Sequence, residues 1–130
     1  MRVRTRALVH CASFPPPAHP CPGWAAAIED AWPDGAEGEV REHLGPLLDR
    51  GVDTLVLACT HYSFMAPVIH RVAGPDVAIV DPAEAVARQV GRVSNEGGAG
   101  TTRYLTTGDP ERLAAQIERL LGRVVEAESA

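Results

Sequence analysis

Cys59, Thr60 and His61 stand directly behind the most continuous apolar run of the chain, Asp53-Thr54-Leu55-Val56-Leu57-Ala58. Such a run has the composition of a strand buried on both faces of a parallel sheet. In open α/β sheets, ligands bind beyond the carboxyl ends of the strands. A thiol at that edge, where a loop leads into a helix, can be activated in two ways. The helix N-terminus favours negative charge, and a nearby imidazole can exchange a proton with the sulfur. Thr60 adds a hydroxyl and a backbone amide suited to a substrate carboxylate. Taken singly, each residue has a plainer explanation. A cysteine ending an apolar strand is more often a small buried hydrophobe, His61 a helix-entry residue, and Glu29 a solvated helix carboxylate. Cysteine-hydrolase chemistry is disfavoured, because no further His-and-Asn pattern accompanies Cys59.

The elements that must position these residues follow from periodicity. Residues 2–10 alternate weakly between apolar and polar, which predicts a short strand. Prolines dominate from Phe14 to Pro22, an extended or irregular connector. Gly23 to Trp32 reads as a short helix with Trp24, Ala27 and Ile28 on one face, ended by the turn Pro33-Asp34-Gly35. A second helix is predicted over Glu39 to Arg50 from Val40, Leu44, Leu47 and Leu48. Gly51 would cap it, and Gly45-Pro46 would bend it. After the Asp53–Ala58 strand, Ser63 is placed to cap a helix burying Phe64, Met65, Val68, Ile69 and Val72.

Gly74-Pro75 stops that helix, and Val77 to Val80 form another short strand. Asp81, Pro82 and Glu84 together announce a helix start, with Val86 and Val90 facing inward. Ser94 to Gly100 is glycine-rich. A last strand over Thr102–Thr106 leads through Gly108-Asp109-Pro110 into a helix burying Leu113, Ile117, Leu120 and Leu121, which Gly122 ends. The tail from Glu126 is expected to be disordered. Strand and helix alternate from Asp53 onward, the mark of an α/β fold with a parallel sheet. Few strands are present, so the expected sheet is partial.

Bulk properties narrow the functional classes. The chain has 130 residues, enough for one core, with 45% hydrophobic and 22% charged residues. A formal net charge of −5 argues against nucleic acid as the main partner. The cluster Arg2, Arg4 and Arg6 reads as a solvated end. No apolar run approaches the roughly 20 residues of a membrane helix, and the basic start is not followed by a signal-like apolar stretch. The cytoplasm is therefore the expected compartment. Cys11, Cys21 and Cys59 lack metal-ligand spacing and are odd in number, so neither a zinc site nor a disulfide framework is expected.

The stretch from Asp53 to Tyr62 closely resembles the signature of glutamate racemases in the aspartate/glutamate racemase superfamily. Further likenesses run in the same order. Cys21-Pro22 followed by Glu29 resembles that family's Cys-Pro segment and the glutamate downstream of it. Val40-Arg41-Glu42 with Leu44 and Pro46 resembles the helix before the signature. Asp81-Pro82-Ala83-Glu84 resembles the stretch after it, and Gly108-Asp109-Pro110 with Glu111 and Arg112 the C-terminal motif. The resemblance covers residues 21–122, leaving 1–20 as an unmatched proline-rich segment and 123–130 as a tail.

The resemblance implies an isomerase that interconverts L- and D-glutamate for peptidoglycan and cell-wall synthesis, without pyridoxal phosphate or metal. One thiolate takes the α-proton from one face and a second thiol delivers a proton to the other. Cys59 would be one of that pair, and His61 its proton partner. Thr60 and His61 would contact the substrate, and Glu29 would tune the surroundings of the thiol. The implied fold is about one half of a two-domain pseudosymmetric α/β racemase, since family members are about twice this length. The other half carries an Asp-Ser-Gly and a Cys-Asn-Thr motif, the latter with the second catalytic cysteine. Neither motif occurs here; Cys11-Ala12-Ser13 is a faint echo, and Cys21 is expected to be structural.

The helices after Glu84 are then expected to lack their partner and to expose Val86, Val90, Leu113 and Ile117. A homodimer or a complementary N-terminal half would cover them. Two alternatives accompany the racemase: a non-catalytic remnant that binds amino acids weakly, and an aspartate-type amino acid racemase.

Overall fold

The computed structural model describes residues 6–10, 18–30, 35–94 and 100–130. The expected features at Arg2 and Arg4, Cys11 to Pro17, Ala31 to Asp34 and residues 95–99 lie outside the described residues. The chain forms two compact units, residues 1–93 and 94–130.

The first unit is an α/β layer built on a four-stranded, wholly parallel sheet in the order β2-β1-β3-β4. Its strands are β1 (Arg6–His10), β2 (Ala18–Pro20), β3 (Thr54–Leu57) and β4 (Ala78–Val80). Val9 pairs with Leu57 and Val56 with Val80, so β3 lies inside the sheet. Thr54, Leu55 and Leu57 are buried and Val56 nearly so, as the unbroken apolar run demanded. Ala18–Pro20 departs from the expected connector by joining the sheet. It can do so because β2 is an edge strand, where a proline leaves no ladder bond broken.

Helices α1 (Trp24–Asp30), α2 (Glu37–Leu48) and α3 (Ala66–Ala73) cover the sheet. Trp24 and Ile28 of α1, Val40, Leu44 and Leu47 of α2, and Val68, Ile69 and Val72 of α3 bury their side chains. Pro46 sits inside α2 on its exposed side, where its ring meets solvent rather than the core. At the end of α2, Gly51 takes φ +74°, and its amide donates to the Leu48 carbonyl while that of Val52 donates to Leu47.

The segment after β3 is not the helix that the sequence predicts. Thr60–Met65 forms a 3₁₀ turn and α3 begins only at Ala66. Ser63 caps neither. Its hydroxyl donates to Asp81 Oδ1 at 2.9 Å, the same oxygen that accepts the Ala83 amide at the start of α4 (Ala83–Val93). Asp81 thus caps α4 as expected. Glu84 does not reach back; it pairs with Arg88 one turn on. Val86 and Val90 do not turn inward within this unit, being 59% and 54% exposed, with Val93 at 70%.

In the second unit, β5 (Tyr104–Thr106) and β6 (Ala127–Ser129) pair in parallel, with α5 (Pro110–Leu121) packed on both. Asp109 accepts the Glu111 amide at 2.9 Å, and Gly122 ends the helix in the left-handed region at φ 64°. Leu113, Ile117 and Leu120 are half-buried there, so only Leu121 of that stripe is left exposed. The expected disordered tail is a strand instead: Arg103 pairs with Glu128 at 2.7 Å, and the Ala130 amide donates to the Thr106 carbonyl. Among the described residues, no helix is long and apolar enough to cross a membrane.

The core of the first unit centres on Trp24, Tyr62 and Cys21, all fully buried. The rings of Trp24 and Tyr62 meet edge-on at 5.1 Å, and the Tyr62 hydroxyl donates to the Cys21 carbonyl at 3.0 Å. Replacing Tyr62→Phe strands that carbonyl without its donor and should lower unfolding stability by about 1–3 kcal/mol in urea titration. Burial, and secondarily the charge of Glu39, push the Cys21 thiol up from 9.0 to about 12. The folded chain therefore holds this proton more tightly than the unfolded one. Stability should be full below pH 9.0, fall as the pH rises towards 12, and lose that slope in Cys21→Ala. Denaturation curves across that pH range check it.

Candidate active site

β3 delivers Cys59 to the carboxyl edge of the sheet with its backbone still extended, at φ −137° and ψ 132°. The chain then tightens at once into the 3₁₀ turn, and Cys59 is left half-buried. Its edge is also the topological switch point. β1 and β3 are neighbours, whereas β2 lies outside β1 and β4 outside β3, so the connections depart in opposite directions. In open α/β sheets, ligand crevices lie where the connections from neighbouring strands part in this way.

Three of the residues singled out in the sequence meet there. Cys59 Sγ lies 3.8 Å from His61 Nδ1. On the other side of the ring, His61 Nε2 lies 2.8 Å from Glu29 Oε1, brought in from α1. α1 can do this because Trp24 and Ile28 anchor it, which leaves the adjacent Glu29 at the rim of the core beside the turn. The His61 and Glu29 side chains are 33% and 44% exposed. A pair so open to water adds little to stability; its consequence is orientation. With Nε2–H donated to the carboxylate, a neutral ring turns the lone pair of Nδ1 towards the sulfur. Nδ1 can then accept the thiol proton and return it.

Thr60 opens the turn and is exposed. Tyr62 entered the sequence reading only as the last residue of the signature stretch, without a positioning role. It immediately follows His61, and its hydrogen bond to Cys21 pins the turn to the segment leading into α1. Asp81, read from the sequence as a helix cap, also accepts from Ser63 and so fixes the far side of the turn. Cys11 lies outside the described residues.

No family model matches the chain. It is 42% identical over 110 residues to a glutamate racemase of Roseiflexus sp. (strain RS-1), covering 77% of this chain and 40% of that relative. It is 47% identical over 88 residues to a glutamate racemase of Methylococcus capsulatus, covering 66% of this chain and 32% of the relative. Among solved structures, the glutamate racemase of Thermus thermophilus in complex with β-chloro-D-alanine matches with a TM-score of 0.71 at 32% identity. That match covers 98% of this chain and 56% of the other. A glutamate racemase isoform of Bacillus anthracis matches with a TM-score of 0.74 at 28% identity, over 87% and 46% of the two chains. The chain thus spans about 40% of the length of the Roseiflexus relative. The chain matches about half of each of these racemase structures, the partial fold that the resemblance implied. With a parallel sheet of that architecture and Cys59-Thr60-His61 at its carboxyl edge, the chain is similar to glutamate racemases over most of its own length, and its partial coverage of them fits a C-terminal portion.

Proposed function

We propose that this chain supplies one of the two acid–base thiols of a glutamate racemase. The observation that carries the proposal is the alignment of Glu29, His61 and Cys59 at the switch point of the sheet. The α-proton of an amino acid is a very weak acid, so its base must be poised, positioned and shielded from bulk water. In this reading the Cys59 thiolate takes the α-proton and forms an S–H bond, leaving the electron pair on the α-carbon. A second thiol, on the opposite face, then gives its proton to that carbon. In the reverse direction Cys59 is the donor. His61 holds the proton that leaves Cys59 between turnovers, and Glu29 keeps the ring in register. Thr60, with His61, contacts the substrate carboxylate. Base, proton partner and orienting group are all side chains, so the proposed chemistry calls for no cofactor.

Glutamate is favoured over aspartate as substrate because the relatives matched over most of the chain are named glutamate racemases. A supply of D-glutamate for peptidoglycan would follow. The cytoplasm, where thiols stay reduced, is the compartment the proposal assumes. The second thiol would come from a complementary N-terminal racemase half, with a second copy of this chain as the other source. The row Val86, Val90 and Val93 on α4 supports a partner, since burying each such side chain is worth roughly 1.5–3 kcal/mol. The short span relative to the family favours one further reading, a chain that binds amino acids without turning them over.

α-Hydrogen exchange of L-glutamate in deuterated water, followed by NMR, tests the proposal. The chain alone should exchange the proton slowly without inversion, and adding the complementary half should yield D-glutamate. Cys59→Ser should abolish both. Glu29→Gln should slow exchange by about 10²-fold and displace its pH profile. Exchange unchanged in Cys59→Ser would remove that sulfur from the chemistry, and no exchange in either protein would favour the binding-only reading.

A further inference from the structure

A second cluster of metal-ligating side chains lies in the same unit, at the edge of the sheet and apart from the Glu29–His61–Cys59 alignment. One nitrogen each of His19 and His43 and the sulfur of Cys21 all lie within 4.8 Å of one another. His19 belongs to β2, Cys21 follows that strand, and His43 projects from α2. The first two share a face because residues two apart in extended chain point the same way. The two imidazole rings are 6.0 Å apart in a T-shaped arrangement, with an interplanar angle of 74°. Trp24 stands edge-on against His43 at 5.5 Å and walls the cluster on the core side. Cys21 is fully buried, while His19 and His43 are half-buried.

We propose that His19, Cys21 and His43 form a Zn²⁺ site that fastens the edge strand β2 to helix α2. One thiolate and two imidazoles are a ligand set that suits zinc and disfavours magnesium or calcium. Zinc bonds of about 2.0–2.3 Å put tetrahedral ligands roughly 3.5 Å apart, so the observed spacing closes by rotamer-scale movement of about 1 Å. His19 Nε2 is itself buried, on the side where Cys21 is fully enclosed. Glu39 lies one turn before His43 on α2. Binding replaces the S–H bond of Cys21 by an S–Zn bond, and the proton leaves to solvent. A three-residue edge strand has few bonds of its own to hold it, which gives the metal a structural role. This site stands independently of the racemase proposal.

Cobalt serves as the spectroscopic probe. Titrating Co²⁺ into the full chain should give a thiolate-to-cobalt charge-transfer band and four-coordinate d–d bands that saturate at one equivalent. Zn²⁺ should bleach them and raise the melting temperature. The bands should survive Cys59→Ser and disappear in Cys21→Ser. His19→Gln and His43→Gln, both at half-exposed positions, should lose the bands while keeping the wild-type circular dichroism. Folded protein that shows no thiolate band overturns the proposal. So do bands that persist in both histidine variants, or bands that vanish in Cys59→Ser.

Discussion

The hydrogen bond from the Tyr62 hydroxyl to the Cys21 carbonyl holds together the two segments on which everything else in the α/β unit relies. One segment runs from β2 into α1 and carries Glu29; the other is the 3₁₀ turn and carries His61. They are 41 residues apart in sequence for that bond, and each is too short to fix its own orientation. Trp24 closes the arrangement by packing on Tyr62 from the α1 side. Because this contact is dry, an unmade bond there would be expensive, and the aromatic pair adds packing that tolerates little change in angle. The distance between Glu29 and His61 is therefore set from the core outward.

That origin explains how a rim pair with modest energetic value can still define a site. His61 sits between a sulfur and a carboxylate, touching them through different ring nitrogens. The carboxylate decides which nitrogen carries hydrogen when the ring is neutral, and so which nitrogen faces the thiol. The parallel sheet adds direction: the strands of the four-stranded sheet all point their carboxyl ends the same way, and the connections leaving β1 and β3 depart to opposite sides beside Cys59.

Much of this was legible in the chain itself. The run from Asp53 to Ala58 could hardly be anything but an interior strand, and the stripe Val68, Ile69 and Val72 is buried as its spacing requires. Glu29 could be paired with His61 only by resemblance, because no local rule links residues on separate elements. Ser63 was misread for a physical reason: a hydroxyl beside a helix start can cap, but here a carboxylate at the end of β4 competes for it and wins. The terminal strand was missed because Ala127–Ser129 is short and polar, and its pairing with β5 is non-local. The valines of α4 show the limit of periodicity, which announces an apolar face without saying what lies against it. The convergence of His19, Cys21 and His43 was hidden in the same way. Alternation along an extended segment puts the first two side by side, but nothing local predicts the third.

One oxygen of Asp81 receives both the Ser63 hydroxyl and the Ala83 amide. The first turn of α4 is thereby tethered to the turn that follows Cys59, through a single atom that neither side can yield without disturbing the other. A body seated on the valine row would press on a lever whose short arm ends in that turn. Load on that helix and the seating of the 3₁₀ turn thus share one oxygen.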